Sequence, residues 1–356
     1  IHDVWFLPLE DFGPAGADEG AGGKYLVLPP GYEGEVPEGY IVLQSGSFLN
    51  FIPGRTILRD SGEEAWANAV EYIKTIRIYP LLDAEDPKPI RFIEGAQKIY
   101  AAQPQYDLSD FEFIHRLVQE EPVREYDKAM YGLLAEIGIR KGEPFEPSEA
   151  EAAVLKQAAE DVQARSIASI QNGSAFAAFW DSGVWGSFKI TPEVAAGGAS
   201  FVFDDLVAYR ERMTDMFYWS GGMYKRFDAT KPSSTFYLMT AKDTDGQPLS
   251  ASKTYRVNVP ADAPMKDFWS VIAYGVESRT FANYPRFTVA SSDEGVVINA
   301  DGSVDLYIGP EAVEGFEANT VITDPNEDYF LMFRLYGAEP SLWERTWKLG
   351  DPQLVE

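Results

Sequence analysis

One stretch near the carboxyl end of the chain decides its predicted fold: Val296-Val297-Ile298-Asn299-Ala300-Asp301-Gly302-Ser303-Val304-Asp305-Leu306-Tyr307-Ile308. Asp-Gly between two runs rich in Val and Ile is a strong short-range signal for a β-hairpin. The stretch therefore predicts antiparallel β structure at this end of the chain. It does not predict a chemistry.

Other short β-rich runs lie on both sides of this hairpin signal. The predicted strands cover residues 235–240, 254–259, 268–275, 287–291 and 329–336. Residues 243–246, Asp-Thr-Asp-Gly, predict a hairpin turn rather than half of a calcium loop, because the twelfth position of a loop that begins at Asp243 is Thr254, which has no carboxylate. Strands this short, separated by Gly, Asp and Pro turns, predict a β-sandwich or jelly roll.

The rest of the chain divides into a β-rich start and a helical middle. Strands are predicted at 25–28, 40–43 and 54–58. Three capping boxes then precede apolar helical periods, with the pairs Ser61/Glu64, Ser109/Glu112 and Ser148/Glu151. A weaker helix is predicted at 201–217. The predicted class is α+β, mainly β with a helical middle, divided into domains at 1–82, 83–230 and 231–356.

Composition excludes several classes of function. The chain has 356 residues and a formal charge of −26, a field that repels nucleic acid and anionic membranes. The acidic surface either suits salty surroundings or a cationic partner, or is simply solvated and self-repelling. Cysteine is absent, which excludes disulfides and thiolate chemistry. No apolar run approaches the roughly 18 residues of a membrane span.

The start of the chain, Ile1-His2-Asp3-Val4-Trp5-Phe6, lacks a Met and lies inside a strand-like run. We interpret it as an incomplete amino terminus. No basic segment followed by an apolar one predicts a signal peptide in this sequence.

Several motifs together resemble a bacterial two-domain family. Residues 268–274 (FWSVIAY), 299–303 (NADGS), 333–337 (FRLYG) and Trp347 resemble the domain of unknown function 1214. Residues 23–32 (GKYLVLPPGY), with Gly54-Arg55-Thr56 and Tyr79-Pro80-Leu81, resemble its companion, the domain of unknown function 1254. The resemblance implies two jelly-roll-like antiparallel β-sandwich domains joined by helices, and a periplasmic or secreted location. It implies no activity.

Catalytic motifs are absent from the sequence. There are two histidines, His2 and His115, and no H-E-x-x-H, G-x-S-x-G, P-loop or dinucleotide fingerprint. His115 lies at the edge of an apolar helical stripe, which favours a structural or surface role. We therefore predict neither a metal site nor a cofactor, and the sequence leaves open whether the protein is an enzyme.

Arg334 is the most informative candidate for binding. It shares one face of a strand that is apolar on both faces, and a buried guanidinium costs several kcal/mol unless it is paired. We expect it to pair with a carboxylate such as Asp267 or Glu277, in a purely structural ion pair, or to face a polar cavity. The predicted ligand-binding residues are Arg55, Trp269, Tyr274, Arg279 and Arg334.

Two aromatic clusters, at 176–188 and 217–227, are interpreted as packing, with a sugar-binding cleft as the alternative. The predicted function is a structural or ligand-binding homo-oligomer with a small-molecule or glycan ligand. The alternative is a hydrolase or lyase that uses paired carboxylates and arginines.

Overall fold

The computed structural model describes residues 1–5, 8–14, 16–56, 62–95, 104–187, 235–281 and 286–355. Within these residues, sheets lie towards both ends of the chain and helices occupy its middle. The predicted α+β class with a helical middle is therefore confirmed. The predicted helix at 201–217 and the aromatic cluster at 217–227 lie outside the described residues.

The amino-terminal part contains four short strands in two pairs: β1 (His2–Asp3), β2 (Tyr25–Leu28), β3 (Ile41–Gln44) and β4 (Asn50–Phe51). β1 pairs with β4 antiparallel, whereas β2 pairs with β3 in parallel, with Tyr25 opposite Ile41. The parallel pair corrects the expectation of purely antiparallel pairing here. Residues 54–56 are not in a strand, and 57–58 lie outside the described residues. A jelly roll in this part stays a prediction.

The described residues then form four α-helices: α1 (Glu63–Ile73), α2 (Leu108–Glu120), α3 (Lys128–Glu136) and α4 (Glu149–Gln171). The predicted capping box of α4 is present, since the Ser148 hydroxyl accepts from the Glu151 amide and the Glu151 carboxylate accepts from the Ser148 amide. For α2 the prediction is wrong by two residues. Asp107 caps that helix by accepting from the Ser109 amide at 2.8 Å, because the helix begins at Leu108 and Ser109 already lies inside it.

The carboxyl-terminal part is a two-layered β-sandwich. Its strands are β5 (Ala177–Ala178), β6 (Gly186–Ser187), β7 (Thr235–Thr240), β8 (Tyr255–Val259), β9 (Trp269–Gly275), β10 (Thr288–Ala290), β11 (Val304–Gly309), β12 (Thr320–Ile322), β13 (Tyr329–Tyr336) and β14 (Gln353–Leu354). One sheet has the order β10-β9-β13-β7-β6-β5 and the other the order β12-β11-β8-β14. All neighbours are antiparallel except β11 and β12. β5 and β6 extend the larger sheet although they precede residue 231.

The inner faces of the two sheets form the main core. Alternate residues of β8 and β11 point inward, and Val257 and Leu306 are fully buried. β13 is apolar on both faces, as predicted for a strand buried on both sides. Its Phe333 lies in the sandwich core, whereas Met332 points outward and packs in a second cluster with Ile170 of α4.

The prediction of a hairpin around Asp301-Gly302 is correct for the turn and wrong for the first strand. The Asp-Gly turn forms, with Gly302 at φ +84° and the Asn299 amide donating to the Ser303 carbonyl at 2.8 Å. Residues 296–298, however, are not a strand, and β11 pairs with β8 and β12 instead. The buried Asn319 side chain binds this segment, accepting from the Val297 amide and donating to the Val297 carbonyl. The other predicted turn, at 243–246, is confirmed.

Candidate ligand-binding site

The candidate site is a polar patch on the outer face of the six-stranded sheet. In the antiparallel register, Arg334 of β13 lies directly opposite Ser270 of β9 and Tyr237 of β7. Residues opposite each other on neighbouring strands share a face, so these three side chains form one row across the sheet. Tyr336 continues the patch along β13, two residues further on.

Arg334 is half-buried and held in place within this patch. Its Nε donates to the Ser270 hydroxyl at 2.9 Å, and its Cζ lies 5.4 Å from the centre of the Tyr336 ring. It forms no ion pair with Asp267 or Glu277, so the expected carboxylate partners are wrong. A serine on the facing strand and a ring on its own strand take their place.

A second guanidinium reaches the patch from the amino-terminal part of the chain. Arg55 donates from Nη1 to the hydroxyl of Tyr237 at 3.1 Å, although the two residues are 182 positions apart. Its side chain remains exposed. The proximity of Tyr237 is the main reason why the pKa of Arg55 is raised, so it is a permanent cation. The structure thus brings together Arg55 and Arg334, two of the predicted binding residues.

Tyr274, the third predicted residue on this face, adds a phenol beside the two arginines. Burial raises the pKa of Tyr274, and the nearby Arg334 partly opposes that shift. Burial likewise raises the pKa of Tyr336. Both hydroxyls therefore stay protonated near neutral pH and can donate hydrogen bonds.

Two tyrosines of the patch are held by stacking on phenylalanine rings. Tyr274 stacks on Phe330 with ring centres 5.5 Å apart and an interplanar angle of 12°, and Tyr336 stacks on Phe268 at 4.2 Å and 18°. Phe330 belongs to the cluster that packs against the end of α4. The side chains of the patch are therefore supported by packed side chains.

The remaining two predicted residues lie elsewhere. Trp269 points into the sandwich core, where it is 4% exposed and stacks on Phe333 at 5.6 Å, so the structure does not bring it to the patch. One residue along β9 reverses the face, and the even-numbered Ser270 and Tyr274 take the outer one. Arg279 lies in the loop after β9, with φ +55°, and its amide donates to the Gly275 carbonyl. Its place beside a ligand stays a prediction.

Other candidates from the sequence have structural roles. His115 lies 2.8 Å from the Glu143 carbonyl through Nε2 and stacks on Phe145, which agrees with a structural histidine. In the first aromatic cluster, Trp180 and Trp185 are buried, and their indole N–H groups donate to backbone carbonyls. The packing interpretation of that cluster is confirmed for the residues described.

An acidic cavity of about 240 Å³ lies beside the end of β9 and is lined by Glu277, Glu327 and Asp328 among others. The Glu327 carboxylate accepts from the amides of Glu277 and Ser278, at 2.8 and 2.6 Å. Asp328 accepts from a backbone amide as well. Within the part of the chain that is described, no group of three or more His, Asp or Glu side chains could hold a metal ion.

Three residues of the patch were not predicted: Tyr237, Ser270 and Tyr336. Two of them follow from the alternation of side chains along a strand. Tyr336 lies two residues after Arg334 and Ser270 lies four residues before Tyr274, so each shares the face of its predicted neighbour. Tyr237 required the pairing of β7 with β13, which the sequence does not reveal.

Fold and patch define an α+β protein whose carboxyl-terminal sandwich carries Arg334 and three tyrosines on one outer face, where Arg55 of the amino-terminal part adds a second guanidinium. The model of the family described as "Protein of unknown function (DUF1254)" matches residues 1–80, and that of "Protein of unknown function (DUF1214)" matches residues 234–340. The chain belongs to the two-domain family that combines these regions. A comparison with curated proteins finds no match.

Two of the solved structures that match this chain show how far the similarity extends. The VPA0106 protein from Vibrio parahaemolyticus has a TM-score of 0.53 and 16% identity, covering 100% of this chain and 81% of that one. At this identity the likeness shows the fold alone. An uncharacterised protein from Burkholderia cenocepacia has a TM-score of 0.26 and 17% identity, covering 35% of this chain and 30% of that one. Among the helices described, none has the length and apolarity to cross a membrane.

Proposed function

We propose that the protein binds a small ligand that carries a carboxylate, such as an acidic sugar, on the patch formed by Arg55, Tyr237, Tyr274, Arg334 and Tyr336. The observation that carries this proposal is that two guanidinium groups lie close to one group of tyrosines. Arg55 donates to the Tyr237 hydroxyl, Arg334 lies over the Tyr336 ring, and both arginines act on the pKa of Tyr274. A chain with a net charge of −26 repels anions overall, so a local pair of cations gives an anionic ligand a place to bind.

The chemistry of the patch matches a carboxylate on a ring. A guanidinium presents a planar fork of N–H groups that suits the two oxygens of a carboxylate. Ser270 occupies only the Nε of Arg334, which leaves the Nη groups for the ligand among the residues described. The hydroxyls of Tyr274 and Tyr336 add neutral donors, and their rings offer apolar faces on which a sugar ring can lie.

Titration calorimetry tests this proposal with glucuronate and galacturonate as probes and glucose as the neutral control. Arg334→Gln removes one charge-assisted contact worth about 1.5–3 kcal/mol, so we expect uronate binding to weaken by about 10- to 150-fold. Arg165→Gln makes the same change at an exposed position of α4 and should leave binding unchanged. The proposal fails if neither uronate binds, or if the Arg334 and Arg165 variants bind equally well.

The alternative of a hydrolase or lyase with paired carboxylates has less support. The acidic cavity is where such a pair would lie, but Glu327 and Asp328 both accept backbone amides there. Carboxylates held in this way stabilise loops. An activity that disappears in Glu327→Gln while the variant keeps its fold would revive the alternative.

The predicted homo-oligomer is supported by an exposed apolar surface in the amino-terminal part. None of the 11 residues of α1 is buried, and Trp66 and Tyr72 are 62% and 64% exposed. Further large apolar side chains are exposed between residues 48 and 93. Native mass spectrometry of the protein and of Trp66→Glu tests this. A monomer at all concentrations would refute the homo-oligomer, whereas a multimer that dissociates in Trp66→Glu would locate the interface at α1.

A further inference from the structure

A second polar groove lies on the opposite side of the sandwich, on the outer face of the four-stranded sheet. It is an open groove of about 460 Å³. Its polar lining comes from β8, from β11 and from the Asp-Gly turn, and consists of Arg256, Asn258, Asn299, Asp301, Ser303 and Asp305. A volume of this size is in the range of small-molecule sites.

The amides and carboxylates of this groove hold each other in fixed orientations. Asn258 lies directly opposite Asp305 and donates from Nδ2 to its Oδ1 at 2.8 Å. Asn299 donates from Nδ2 to the other oxygen of Asp305 at 3.3 Å, and both amides also reach the Ser303 hydroxyl. The side-chain N–H groups of Asn258 and Asn299 are thus both directed at Asp305 and Ser303. Among the residues described, their side-chain oxygens remain as acceptors for a ligand.

A donor and a ring lie next to these acceptors. Arg256 is exposed and donates from Nη2 to the Gln353 side chain at 2.9 Å, which fixes the direction of its guanidinium. Tyr307 lies directly opposite Arg256 on β11, and its ring rests on Phe316 with the centres 5.1 Å apart. The outer face therefore presents, side by side, acceptors, a guanidinium and an aromatic ring.

We propose that this groove binds a neutral saccharide through its hydroxyl groups. A sugar hydroxyl both donates and accepts, so neighbouring hydroxyls can bond to the amide oxygens and to the Arg256 guanidinium at once. Asp301 and Asp305 against a single Arg256 leave the groove acidic, which disfavours an anionic ligand. The groove thus differs in ligand class from the patch around Arg334, and neither site depends on the other.

Saturation-transfer NMR tests the inference with the methyl glycosides of glucose, galactose, mannose and N-acetylglucosamine as probes. We expect at least one glycoside to bind the unmodified protein, and Asn258→Ala to weaken that binding about tenfold, the loss of roughly one net hydrogen bond. Asn326→Ala, an amide removed from an exposed loop elsewhere, should not change it.

Arg256→Ala gives an independent measurement, because its exposed side chain is not needed for the core, and it should also weaken binding. Arg334→Gln should leave glycoside binding intact, which separates this groove from the first site. The inference is overturned if none of the four glycosides binds, or if binding persists unchanged in both Asn258→Ala and Arg256→Ala.

Discussion

Replacing Glu121 by Gln is expected to loosen the loop that joins β3 to β4. Glu121 follows directly after α2, and its side chain is fully buried. Its two carboxylate oxygens accept from the amides of Phe48 and Leu49, at 2.7 and 2.9 Å. Lys141 binds the backbone carbonyl of the same residue at 2.8 Å. A single side chain therefore holds two consecutive amides of a segment more than 70 residues away.

The size of the effect follows from these contacts. Gln has one acceptor oxygen, so one of the two amides loses its partner and faces an NH2 group instead. A hydrogen bond to a charged group contributes about 1.5–3 kcal/mol, and the remaining bond becomes neutral and weaker. We expect Glu121→Gln to cost about 2–4 kcal/mol in the local stability of the loop.

Hydrogen exchange of the peptide that contains Phe48 and Leu49 measures this loss. Since about 1.4 kcal/mol corresponds to a factor of ten, exchange of the two amides should accelerate roughly 30- to 700-fold where it proceeds by local opening. Glu120→Gln is the matched control, because it makes the same change one residue earlier at an exposed position. Equal exchange in the two variants would refute the role of Glu121.

Three further predictions concern local stability. Ser148→Ala removes the cap of α4 and should lower the free energy of unfolding by about 1 kcal/mol, measured by urea denaturation. Gly275→Ala places a Cβ onto the Glu327 carboxyl group and should cost about 1–3 kcal/mol, whereas Gly132→Ala, in α3 with open space around it, should stabilise the protein by up to about 1 kcal/mol. The pKa of Tyr25 is raised to about 12, mainly by burial. The folded state therefore holds this proton more tightly, and stability should fall as the pH rises from about 10 towards 12; thermal melting should show a smaller fall in Tyr25→Phe.

The parts of the fold that were predictable depend on local signals. The capping box of α4 lies within four consecutive residues and was located correctly. The strand limits of β7, β9 and β13 followed from apolar runs ended by turn residues, and the structure keeps them within one residue. Such features are fixed by neighbours along the chain, so the sequence alone reveals them.

The parts that were missed depend on contacts between distant residues. The parallel register of β2 and β3 leaves no mark in either strand, and Val297 finds its partner in a side chain 22 positions away rather than in β11. In the patch around Arg334, the sequence singles out this arginine because it is a charged residue within an apolar strand. Its contacts with Ser270 and Tyr336 required the order of strands in the sheet and the rotamers of the side chains.

Asn319 has a consequence for how this family can vary its surface. Its side-chain amide makes the hydrogen bonds that a neighbouring strand would otherwise make. It accepts from the Val297 amide and donates to the carbonyls of Val297 and Asp305. The rim of the groove on the four-stranded sheet is therefore anchored by Asn319, which is fully buried. Residues 298–303 could change in length or in surface chemistry during evolution while Asn319 kept them attached to the sandwich. Asn319→Asp, in contrast, removes the two side-chain N–H bonds and would release the rim although no residue of the rim itself is changed.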